Sequence, residues 1–154
     1  MQTFSAKVTW ERAGAAFADH RYSRAHAWHF DGGLEVPASS SPLSVPVPMS
    51  DPAALDPEEA LVASVSSCHM LFFLSFAAKG GFVVDQYRDA AEGIMDKNAA
   101  GKMAMVRFIL RPAVAFGGER APTAAERGAL HHAAHEHCYI ANSLLADVII
   151  EEPV

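Results

Sequence analysis

Asp56-Pro57-Glu58-Glu59 opens the decisive stretch of the chain. It runs on as Ala60-Leu61-Val62-Ala63-Ser64-Val65-Ser66-Ser67-Cys68-His69-Met70-Leu71-Phe72-Phe73-Leu74-Ser75-Phe76-Ala77-Ala78 and closes at Lys79-Gly80-Gly81. Asp56 suits an N-cap, Pro57 the first helical position, and Glu58 and Glu59 the positive end of the helix dipole. The glycine pair stops the helix. Between Ala60 and Ala78, nineteen residues carry no formal charge, which is long enough on paper to cross a bilayer. Ser64, Ser66, Ser67, Cys68, His69 and Ser75 interrupt that run, and no positive flank precedes it. A buried central helix of a soluble protein is the better reading, apolar on nearly all sides and therefore surrounded by protein.

Around this helix the pattern is that of strands. Phe4-Ala6-Val8-Trp10 and His26-Trp28-Phe30 alternate with period two, the second ending at Asp31-Gly32-Gly33. Pro37 to Pro57 is rich in proline and serine and reads as a functional loop. Val83–Met95 and Lys102–Phe116 form a hairpin joined by Asp96-Lys97-Asn98-Ala99-Ala100-Gly101. Thr123-Ala124-Ala125-Glu126 is a capping box that opens a second helix reaching about His137, and Leu144–Glu151 is a closing strand. These elements predict an α+β fold with a mainly antiparallel sheet, in one domain over residues 1–154.

Composition narrows the function classes. Hydrophobic residues make up 51% of 154 and charged residues 19%, which argues against disorder. A net charge of −6 with no basic run lacks the footprint of a nucleic-acid binder. Met1-Gln2-Thr3-Phe4-Ser5-Ala6-Lys7 is not patterned as a signal peptide, so a cytoplasmic protein is expected. In that compartment two cysteines, Cys68 and Cys138, serve chemistry or metal binding rather than stapling. Spacing alone does not bring the two sulfurs together. Taken singly, Cys68 reads more readily as a small inert core residue, and Cys138 equally well as a buried helix-terminal one.

The stretch Asp56 to Met70 resembles the first-cysteine motif of the OsmC/Ohr family, the osmotically inducible protein C and organic hydroperoxide resistance proteins. His135-Glu136-His137-Cys138-Tyr139-Ile140-Ala141-Asn142-Ser143 resembles that family's second-cysteine motif, and the similarity runs from roughly Ala25 onward. The resemblance implies an OsmC-like fold in an intertwined homodimer and a thiol-dependent peroxidase acting on organic hydroperoxides. Cys68 would be the attacking thiol and Cys138 the resolving one, with an external dithiol as reductant and no cofactor or metal. Glu58 resembles the family's active-site glutamate. Arg24 is the candidate for its arginine partner, with Arg21 as the alternative. His69 after Cys68 and Tyr139 after Cys138 depart from the best-characterised peroxidase pattern.

Ten helical residues separate Glu58 from Cys68 by about 15 Å along the axis, too far for one guanidinium to touch both in one chain. Antiparallel packing of two such helices in a dimer would bring Glu58 of one copy toward Cys68 of the other. The bland readings are helix-start electrostatics for Glu58 and a solvent-exposed strand residue for Arg24. His69 follows Cys68, but adjacent helix positions point about 100° apart, which speaks against direct activation. His131, His132, His135, His137 and Cys138 raise a zinc reading, with His131 and His135 on one helix face; partly exposed helix histidines are the simpler account. A non-catalytic protein binding an apolar ligand in the dimer cleft is a further alternative.

Overall fold

The computed structural model describes residues 1–152. The chain divides into two compact units, Met1–Ala60 and Leu61–Val154. It is an α+β protein with antiparallel sheets and a long helix.

In the first unit, β1 (Ala6–Thr9), β2 (His26–Phe30) and β3 (Glu35–Ala38) form an antiparallel meander. Val8 and Val36 both pair with Trp28, so the alternation of bulky residues fixes the register. The proline-rich loop starts later than the sequence reading places it, because Pro37 lies within β3. This is tolerated since β3 is an edge strand and Pro37 turns its carbonyl outward, where it accepts the Leu55 N–H at 3.1 Å; no ladder donor is missing. Ser39 N–H donates back to Leu55 C=O, and Ser39 Oγ accepts the Asp51 N–H at 3.0 Å, so the loop is pinned at both ends.

Helix α1 (Pro57–Lys79) begins at the end of the first unit and runs into the second. Asp56 Oδ1 accepts the Glu59 N–H at 2.7 Å while Glu59 Oε2 accepts the Asp56 N–H at 3.3 Å, a reciprocal capping box. At the other end Phe82 N–H donates to Ala77 C=O and Gly81 N–H to Ala78 C=O, with Gly81 at φ 75°. This pair of hydrogen bonds closes the helix and needs a residue free to adopt the left-handed conformation.

The second unit packs two small sheets on this helix. One pairs β4 (Val83–Asp89) with β7 (Pro112–Gly117); the other orders β5 (Glu92–Lys97), β6 (Met103–Leu110) and β8 (Asp147–Ile150). The long hairpin of the sequence reading is therefore broken once on each arm, at Ala90–Ala91 and at Arg111. Asp89 Oδ1 accepts the Arg111 N–H at 2.6 Å, and the Arg111 guanidinium reaches Glu92 and Glu151, fixing the crossover between sheets. All strand pairs are antiparallel except β6 with β8.

Helix α2 (Ala124–His137) carries the expected capping box, with Thr123 and Glu126 satisfying each other's donors. Phe73, Ala77, Phe82, Leu130 and Ala134 form one core between the helices, and Val65, Phe108 and Leu110 another beneath β6. Gly93 is required in β5: a Cβ there would stand 2.6 Å from Val62 Cγ2 and also strike Met105. The expectation that α1 is buried all round is corrected. Val65, Cys68, His69, Phe73 and Ala77 make one buried stripe, while Leu71 is 60% exposed. By length and composition the helix could also cross a membrane.

Candidate active site

Cys68 lies on the buried stripe of α1, and Cys138 caps the C-terminus of α2 with its residue 1% exposed. The two free cysteines are both buried, and their side chains are neighbours. Helix periodicity puts Cys68 inward with Val65, His69 and Phe73. Cys138 is held by the turn that follows it. Ala141 N–H donates to its Sγ at 3.3 Å, Asn142 N–H to its carbonyl at 3.0 Å, and Asn142 Nδ2 to Glu136 C=O at 3.0 Å. Ser143 Oγ donates to Tyr139 C=O. Asn142 and Ser143 thus shape the turn.

Burial pushes the Cys138 thiol up to about 11, and the contact with Cys68 adds to the effect; the Ala141 N–H opposes it. Cys138 therefore stays protonated at neutral pH.

A second buried pair lies on the same two helices and was not read from the sequence. His69 is 1% exposed and His131 4% exposed. Nε2 of His69 is 2.9 Å from Nδ1 of His131, with the rings parallel to within 4°. Nε2 of His131 faces Glu152 Oε1 at 3.6 Å, and Glu152 Oε2 accepts from Arg127 Nε at 3.2 Å. A proton on His131 Nε2 suits the carboxylate in front of it, which leaves Nδ1 as acceptor and makes His69 Nε2–H the donor. His69 Nδ1 then carries a bare lone pair. It is buried with no partner among the described residues, an arrangement that costs about 1–3 kcal/mol.

Burial, reinforced by His131 and His135, lowers His69 to about 4. Burial lowers His131 as well, with Arg127 acting in the same sense and Glu152 and Asp89 against it. His69 is thus neutral at physiological pH and gives Cys68 no positive charge. Nothing in residue spacing pairs His69 with His131, sixty-two positions apart. The available signal was a lone imidazole on an otherwise uncharged helix, which must find a partner or stay unsatisfied.

Arg24 and Glu58 both belong to the first unit. The Arg24 guanidinium lies over the Tyr22 ring, 3.8 Å from its centroid, and donates to His20 C=O at 2.8 Å and to Tyr22 C=O. Its backbone N–H donates to Met49 C=O at 2.7 Å. Arg21 is exposed, its N–H donating to Asp19. Glu58 is half-buried in the first turn of α1 and forms no ion pair with Arg24 or Arg21 among the described residues. The arginine–glutamate pair implied by the family resemblance is not formed within one chain. His131 spends both ring nitrogens on His69 and Glu152, and no group of three or more His, Cys, Asp or Glu among the described residues is placed to hold a metal ion. The zinc reading has no donor set there.

A family model described as OsmC-like protein matches residues 50–152. The structure of an OsmC-like protein of unknown function from Vibrio cholerae is 51% identical, with a TM-score of 0.97 over 99% of this chain and 100% of that one. An organic hydroperoxide resistance protein OsmC from Legionella pneumophila is 16% identical, with a TM-score of 0.72 over 100% and 98% of the two chains. The organic hydroperoxide resistance protein OhrB of Bacillus subtilis is 19% identical, with a TM-score of 0.65 over 97% and 98%. At these lower identities the likeness is one of fold. No curated protein matches the chain.

Proposed function

From the membership of this chain in the OsmC-like protein family, we propose that it is a cysteine-based peroxidase that reduces organic hydroperoxides. The observation that carries the reading is the buried contact between Cys68 and Cys138, in which Cys138 holds its proton. The Cys68 thiolate attacks the distal peroxide oxygen. An S–O bond forms, the O–O bond breaks, sulfur is oxidised to sulfenic acid and the alcohol leaves once its alkoxide is protonated. Cys138 then displaces water from that sulfenic acid to form the disulfide, and an external dithiol returns both sulfurs to thiols. The contact between the side chains means that the second step needs little rearrangement of α1 or α2.

The working form in this proposal is a cytoplasmic homodimer. The exposed apolar faces of α1 supply the surface for a second copy, whose Glu58 would approach Cys68. Arg24 is the proposed cation of the site, held ready by Tyr22 and His20.

Mass spectrometry after one equivalent of cumene hydroperoxide tests the reading. The expected product is an intramolecular Cys68–Cys138 disulfide, two hydrogens lighter than the reduced chain. A mass that stays at the reduced value would overturn it.

A further inference from the structure

His26 and Trp28 stand two residues apart on β2 and share a face of the sheet, and Arg24 lies two residues before His26. Trp28 pairs with Val8 on β1 and with Val36 on β3, so its place in the sheet is fixed from both sides. Its Nε1–H donates to His26 Nε2 at 2.9 Å, and His26 Nδ1 lies 2.8 Å from Arg24 C=O. An indole N–H can only donate, and a carbonyl can only accept. His26 Nε2 must therefore carry the lone pair and Nδ1 the hydrogen. The two neighbours select one tautomer and use both ring nitrogens.

The rest of Arg24 is held too. Its N–H donates to Met49 C=O in the proline-rich loop at 2.7 Å, and its guanidinium donates to His20 C=O at 2.8 Å and to Tyr22 C=O. His20 adopts φ 61°, a conformation uncommon for a residue with a Cβ. The guanidinium covers the Tyr22 ring, and Phe17 stacks on the same tyrosine with 4.5 Å between ring centroids. The bond from His26 is the one that leads from Arg24 straight into the strands.

We infer that His26, oriented by Trp28, is a positioning residue for Arg24. The sheet sets the indole, the indole sets the imidazole tautomer, and the imidazole anchors the Arg24 carbonyl. The segment that carries the cation is thereby fixed relative to β2. The inference rests on the reading of Arg24 as the cation of the peroxidase site. Anchorage matters there because displacing a positioned group by about 1 Å can cost on the order of 100-fold in rate. His26 itself moves no proton and meets no substrate in this role.

Two measurements test the assignment. In 15N-histidine spectra of the whole protein at pH 7, His26 should be the Nδ1–H tautomer, and Trp28→Phe, which removes the indole donor, should let the Nε2–H form appear. Finding the Nε2–H form in the wild-type protein would overturn the inference whether or not the protein reduces peroxides. In single-turnover oxidation of Cys68 by cumene hydroperoxide, His26→Leu should slow the step by about tenfold or more. His26→Asn keeps an N–H donor for the Arg24 carbonyl and should recover most of that loss. In an Arg24→Leu background, His26→Leu should add no further loss, because it acts only through Arg24. Additive losses, or a folded His26→Leu variant with the wild-type rate, would overturn the inference. A wild-type rate in Arg24→Leu alone, or a wild-type Cys68 inert to hydroperoxide, would instead sink the reading of the site. The tautomers in the wild-type protein and Trp28→Phe would then decide alone whether His26 holds Arg24.

Discussion

His69 Nε2 and His131 Nδ1 lie 2.9 Å apart between two helices, and neither imidazole reaches solvent to any extent that would favour its charged form. This contact ties α1 to α2, next to Cys68 in the chain and seven residues before Cys138. It also makes the fold sensitive to acid.

In the unfolded chain a histidine takes a proton near pH 6.5, whereas folded His69 does so only near 4. Between those values the unfolded state binds more protons, so stability must fall as pH is lowered through the window. The interval corresponds to about 3 kcal/mol at most for this residue, and His131 shifts in the same direction. Urea unfolding midpoints should therefore drop markedly from pH 7 to pH 4.5. The double variant His69→Leu, His131→Phe should show a flatter profile. Equal midpoints for the wild-type protein at the two pH values would contradict the buried neutral pair.

The two cysteines should separate by role. Cys68→Ser should lose peroxidase activity to background, because the other sulfur of the proposed site, Cys138, keeps its proton at neutral pH. Cys138→Ser should complete one turnover and stop, with sulfenic acid at Cys68 trapped by dimedone. Multi-turnover activity in the Cys68 variant would sink the mechanism.

What the sequence made legible follows from physics that is local. The caps of α1 and α2, the Gly80-Gly81 stop and the alternation about Trp28 are set by residues within a turn of one another. Where the outcome depends on distant partners, the reading fell short. Asp89 and Arg111 split the hairpin through a contact between strands, and β8 joins β6 in parallel from the far end of the chain. The site divides the same way. Cys68 and Cys138 were found because each sits in a distinctive local motif, while His69, His131 and Glu152 meet only in three dimensions. Arg24 and Arg21 lie in a looser context, and the structure stacks Arg24 on Tyr22 and leaves Arg21 exposed without pairing either with Glu58 among the described residues.

The apolar character of α1 exceeds what its own chain covers. Leu71 is 60% exposed, three residues beyond Cys68. Leaving such surface in water forfeits about 25 cal/mol per Å², so a second copy is the expected cover. Light scattering at low micromolar concentration should give twice 16.5 kDa. Leu71→Asp should shift the population toward monomer and lower activity with it. A folded wild-type monomer with full activity would count against the dimeric site.

Substrate preference should follow from apolar side chains as well. Phe72 packs edge-on against Tyr139 at 5.0 Å between ring centroids, which places aromatic surface beside both cysteine segments. It offers an alkyl or aryl group a surface to leave water for, at about 25 cal/mol per Å² buried. Hydrogen peroxide has no such group, and its small polar body would be desolvated with little return. The advantage should appear in kcat/KM, larger for cumene hydroperoxide than for hydrogen peroxide, with tert-butyl hydroperoxide between them. Tyr139→Ser should narrow the gap by weakening the organic substrates while leaving hydrogen peroxide nearly unchanged. If wild-type protein consumes hydrogen peroxide as efficiently as cumene hydroperoxide, apolar contact is not what selects the substrate, even with Cys68 as the attacking thiol.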